Sequence, residues 1–94
     1  MEKTTEKQTI NKNKLILMRA LAIVYSELKE GKSNYIFGAE YDISTSLLNH
    51  IERGIKDPQL TTLFKLSEAL NMKTSDLMAK IERILPADFS LIER

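Results

Sequence analysis

Residues 32–54, KSNYIFGAEYDISTSLLNHIERG, confine the chain more than any other stretch. They hold two helix-length amphipathic segments with room for only a tight turn between them. Ser33 can cap the first, with Ile36, Phe37 and Tyr41 facing inward. Ser44 can cap the second, with Leu48 and Ile51 inward, and Gly54 ends it. Gly38 inside the first segment costs about 1 kcal/mol against Ala, so it signals a close approach to that backbone. Asp42 falls at the turn, and Asp is among the few non-glycine residues that tolerate a positive φ. Two short helices joined this tightly form a helix-turn-helix.

The flanks are helical too. Leu17, Leu21, Val24 and Leu28 form one apolar stripe along a helix from Asn11 to Gly31. Leu15, Ile16, Met18 and Ile23 lie off that stripe, so this elongated helix has apolar surface for more than one neighbour, either within the core or in a second subunit. Asp57-Pro58 reads as an N-cap followed by Pro at the first helical position. Leu60, Leu63, Phe64 and Leu70 then point inward, with Leu66 less central and Asn71 closing the helix. A last helix starts near Thr74 or Ser75, carries Leu77, Met78, Ile81 and Leu85 inward, and stops at Pro86. No stretch alternates as a strand would. The expected fold is all-α, a compact five-helix bundle with an elongated first helix. Its parts are a flexible segment at 1–10, the domain at 11–85 and a tail at 86–94 whose Phe89, Leu91 and Ile92 suit a dimer interface.

Ninety-four residues, 43% of them hydrophobic, suffice for one core. The absence of cysteine excludes a disulfide framework and suits a reducing cytoplasm, where the chain is expected. Lysines precede the apolar run LILMRALAIV, but no small-residue cleavage site follows it. Arg19 interrupts the run, which is only about half a membrane span long. Membrane association is therefore not expected. Net charge is +1, with a mild basic excess in residues 1–30 and balance across 31–56.

The outward side of the second motif helix is chemically odd. Thr45, Ser46, Asn49 and His50 stand where a solvated face usually carries Lys and Glu. In a helix-turn-helix this second helix enters the DNA major groove. Short side chains allow close approach, Asn pairs bidentately with adenine, and Ser, Thr and His donate or accept at base edges. Leu47 could touch a thymine methyl. The plainer alternative is an ordinary solvated face. Ser44, His50 and Asp42 formally offer a nucleophile set, yet no oxyanion loop or glycine elbow accompanies them, and an enzyme is not expected. His50 is the sole histidine and has no cysteine to assist it, so neither a metal nor a cofactor is expected.

The segment SNYIFGAEYDISTSLLNHIERGIKDPQLTTLFKLSEALNMKTSDL resembles the Cro/C1-type, XRE-like or phage-repressor-like helix-turn-helix family. Its most specific part is I-E-R-G at Ile51–Gly54 followed by Asp57–Leu70. The resemblance implies the phage-repressor-like bundle and a sequence-specific DNA-binding transcriptional regulator, a repressor, acting on double-stranded DNA as a homodimer. It implies base contacts from Thr45, Ser46, Asn49 and His50. Backbone contacts would come from Lys32, Ser33, Asn34 (where the family usually has Gln), Arg53 and Lys56. Glu52 matches a family Glu that more often serves structure. Lys32 stands where the family prefers Leu, which implies repacking with Ile36 filling in; Gly38 stands for Ala and Asp42 for Gly. No small-molecule ligand is evident. The alternative function on this fold is an antitoxin-like or adaptor module that binds protein.

Overall fold

The computed structural model describes residues 2–92, with side chains from residue 12 onward. It contains five helices in chain order: α1 (Glu2–Leu28), α2 (Asn34–Tyr41), α3 (Thr45–Glu52), α4 (Leu60–Ala69) and α5 (Thr74–Ile84). No strand occurs among the described residues. α1 packs along both α3 and α5, α2 sits on α3, and α4 on α5. No helix among the described residues is long and apolar enough to cross a membrane.

α1 starts at Glu2, ahead of the Asn11 start expected from sequence. Nothing between the two positions breaks a helix: the segment has neither Gly nor Pro, and Glu, Lys and Gln propagate one readily. Met1, the rest of the expected flexible segment, lies outside the described residues. Farther along α1, Ala20, Leu21, Val24 and Tyr25 enter the core, where Leu48 and Ile51 of α3, Leu66 of α4 and Leu77 and Ile81 of α5 meet them.

Two inward faces differ from expectation. In α2 only Asn34, Phe37 and Gly38 are buried, while Ile36 and Tyr41 are exposed. Ile36 therefore does not fill in for a core leucine at position 32. Phe37 supplies the packing, edge-on to Tyr25 at 5.6 Å and tilted against Tyr41 at 5.0 Å. In α4, Leu60 and Phe64 are 68% and 53% exposed, and Leu66 is fully buried. Two apolar stripes compete on this helix. The one through Leu63, Leu66 and Leu70 takes the core because Ser67 beside it can be buried, its hydroxyl donating to the Leu63 carbonyl at 2.8 Å.

α4 also begins later than Asp57-Pro58 suggested, with Gln59 as N-cap. Asp57 does not cap it: residues 57–59 precede the helix, and the Asp57 carboxylate lies 3.4 Å from the Lys14 ammonium instead. The tail folds back on α1, where the Asn13 amide donates to the Ser90 carbonyl at 2.9 Å.

Gly38 is where α2 meets its turn. The backbone N–H groups of Asp42 (φ 56°) and Ile43 both donate to its carbonyl. A Cβ at Gly38 would overlap the Ile43 carbonyl oxygen and press on Leu48. Gly38→Ala should gain about 1 kcal/mol of helix propensity yet lose about 1–3 kcal/mol to overpacking. The net result expected in urea unfolding is a loss of stability; a gain would show that the turn relaxes freely.

Candidate nucleic-acid interface

α3 is aimed by caps at both ends. The Ser44 hydroxyl accepts from the Leu47 N–H at 3.3 Å. At the other end, Gly54 (φ 73°) donates to the Ile51 carbonyl and Ile55 to the His50 carbonyl. This Schellman closure needs the left-handed conformation that glycine adopts without strain. A side chain there would also meet the Arg19 stem at 3.0 Å.

With Leu48 and Ile51 in the core, the helix turns Ser46, Asn49 and His50 to solvent, and Thr45 is half-buried. Leu47 is packed partly against the core. Arg53 and Lys56 are exposed beyond the helix end. The four expected base-reading side chains therefore share one accessible surface with two cations at its edge.

Behind that surface lies a polar cluster, part of which sequence reasoning missed. Asn34 is buried, and its amide is used up inside the protein. Its carbonyl oxygen accepts from the Tyr25 hydroxyl at 2.7 Å and from the Lys29 ammonium at 2.9 Å. Its NH2 group donates to the Asn49 carbonyl oxygen and to the Glu52 carboxylate, both at 2.8 Å. Two donors and two acceptor sites exhaust an amide. A phosphate contact from the Asn34 side chain, expected from the family's Gln, is thus not available as the side chain stands. Its backbone N–H in the first turn of α2 is the group that could serve.

Glu52 closes the cluster. It accepts from Lys29 at 2.8 Å, from Asn34, and from the Ser26 hydroxyl at 3.0 Å. The Lys29 hydrogen bond, with those from Asn34 and Ser26, outweighs burial and holds the Glu52 carboxyl below its ordinary value. Burial, aided by the Glu52 charge, pushes the Tyr25 phenol up to about 12, so it remains a donor to Asn34. Tyr25 lies in the last turn of α1 and Lys29 just past its end, its N–H donating to the Tyr25 carbonyl at 3.0 Å. The available signal was a lysine at the end of an apolar helix that, once buried, must find an acid.

These pairings decide the local charge. The acids of residues 31–56 are Glu40, Asp42 and Glu52. Lys32 holds Glu40 at 3.0 Å, Lys65 approaches Asp42 at 3.9 Å, and Lys29 holds Glu52. Arg53 and Lys56 have no ion pair among the described residues. A segment of zero net charge thus presents uncompensated positive charge beside α3. Lys32, expected to contact DNA, shares its charge with Glu40 and lies over the Tyr41 ring at 5.9 Å. The Ser33 hydroxyl is engaged as the α2 cap, accepting from the Ile36 N–H at 3.1 Å.

A family model described as helix-turn-helix matches residues 28–77, more than half of the chain. The protein belongs to this Cro/C1-type, XRE-like helix-turn-helix family, whose domains bind DNA in regulation. No curated protein and no solved structure matched the chain.

Proposed function

We propose that the protein is a sequence-specific transcriptional repressor that lays α3 in the major groove of double-stranded DNA. Asn49 carries this reading. It stands exposed on α3 with its carbonyl oxygen steadied by Asn34. Its NH2 group then donates to adenine N7, while the oxygen's second lone pair accepts from N6. Thr45, Ser46 and His50 read neighbouring base edges, and Arg53, Lys56 and the N-terminus of α2 meet phosphates. The protein acts as a homodimer, joined through the C-terminal region where Ile84, Leu91 and Ile92 remain exposed.

Asn49→Ala and Arg53→Ala should fail differently. Loss of Asn49 should cost about 1–3 kcal/mol on the preferred site and relax preference at one position. Loss of Arg53 should weaken all sequences alike and lower the salt slope by about one. Fluorescence anisotropy on labelled duplexes across a salt series reads both. Matching profiles for the two variants would mean that the base-reading face is misplaced.

A second reading, a protein-binding adaptor or antitoxin-like module, draws on Ile55, Leu60 and Phe64, exposed in the segment that follows α3. The same salt series separates the two. DNA binding predicts a steep loss of affinity with salt, and a protein-only module predicts no duplex binding to lose.

A further inference from the structure

Beneath the C-terminal tail, α1, the 57–58 loop, α4 and α5 enclose a cleft of about 350 Å³. Met18 of α1, Leu63 of α4, Met78 of α5 and Leu91 of the tail give it apolar walls; its charged groups are Lys14 and Asp57. Every buried side-chain polar atom among the described residues already has a partner. The walls therefore offer ordered water little to bond to. A cavity of about 150 Å³ holds benzene, so this one takes roughly a dozen non-hydrogen atoms. It also falls within the usual size range of small-molecule sites, which are mostly apolar with a few placed polar groups. The two methionines adapt readily to irregular apolar shapes.

The charge around the cleft selects the head group. Lys14 and Met18 lie one turn apart on the same face of α1, so the ammonium sits one helical turn along from the apolar wall. Its partner Asp57 is at 3.4 Å, and both side chains are largely exposed. An exposed pair of this kind contributes little and yields to a better-seated carboxylate. Of the pair, Lys14 belongs to the helix that walls the cleft and is the less exposed, 47% against 65% for Asp57, so the ammonium is the charge better placed to hold a head group.

We propose that this cleft binds a small amphiphilic carboxylate, its chain among Met18, Leu63 and Met78 and its head group on Lys14. The lining comes from α1, residues 57–63, α5 and the tail, which are remote from one another in sequence, and this is why no ligand was evident from sequence. The probe is decanoate, titrated calorimetrically into the full chain below its micelle-forming concentration, with decanol and decylammonium as comparisons. Saturable one-to-one binding of decanoate, about tenfold tighter than either comparison, is the expected result. Lys14→Gln should bring decanoate to the level of decanol, and Met18→Phe, which fills the cleft, should abolish binding while circular dichroism is unchanged. Lys14→Gln changes only a surface side chain, so the test holds even if Met18→Phe fails to fold. No saturable binding, tighter binding of decylammonium, or decanoate binding unaffected by Lys14→Gln would overturn the proposal. So would sedimentation showing that Met18→Phe dissociates a dimer, since a second copy's side chain would then be the occupant.

Discussion

Leu66→Ala should destabilise the protein by about 2–5 kcal/mol, among the largest effects of any single core truncation here. Leu66 is fully buried at the junction where α4 joins α5 beneath α1. Its removal leaves a cavity in a core whose other members Leu48, Ile51 and Leu77 are also fully buried and have little freedom to collapse. Native domains have a total stability of roughly 5–15 kcal/mol, so this loss is a large fraction of the whole. Leu60→Ala, at a position expected from sequence to face inward, should change stability by less than about 0.5 kcal/mol because Leu60 is mostly solvated. Urea midpoints for the two variants check this directly. Equal losses would mean that α4 is rotated relative to the arrangement described.

Glu52→Ala should cost about 2–4 kcal/mol and weaken DNA binding without Glu52 itself touching DNA. Its removal strands the Lys29 ammonium, only 10% exposed, and takes an acceptor from Asn34 and Ser26. Breaking a fully buried pair costs about 3–5 kcal/mol; the figure here is lower because the Glu52 side chain is 34% exposed. Asn34 would then be free to turn, and Asn49 would lose its fixed orientation. The pH dependence has a definite sign. The folded-state value of Glu52 lies below its ordinary 4.5, so its contribution is present above about that pH. It disappears as pH falls through the lower folded value. Glu52→Gln should therefore flatten the loss of stability on acidification below about pH 4.5, measured by denaturant unfolding at several pH values. An acid limb as steep as in the parent protein would remove Glu52 from this role.

The helix-turn-helix was legible because its determinants are local. Ser33 and Ser44 cap where their hydroxyls can reach the next turn, Asp42 takes the left-handed turn, and Gly38 marks the tight crossing. The outward set on α3 followed from Leu48 and Ile51, whose burial leaves the helix only one way to face. What could not be read depends on choices between partners. Leu60–Phe64 and Leu63–Leu66–Leu70 are both credible apolar stripes, and only the tertiary fit of Ser67 decides between them. Asp57 had a capping position available and an ion pair with Lys14 available, remote in sequence. Asn34 looked like a phosphate ligand because its neighbours in space, Tyr25, Lys29, Asn49 and Glu52, come from two other helices or their ends. Lys32 shows the same limit, since Glu40 rather than DNA is the charge beside it in the free protein.

Selection of bound fragments from random duplex DNA decides whether α3 reads the major groove as one of a symmetric pair. A pair of recognition helices related by a two-fold axis must enter successive major grooves about 34 Å apart, or roughly 10 base pairs. The expected result is enrichment of an inverted repeat with that half-site spacing, and loss of preference at one position of each half-site when Asn49→Ala replaces the parent protein. Failure to enrich any sequence, or an enriched site without dyad symmetry that Asn49→Ala leaves unchanged, would contradict it.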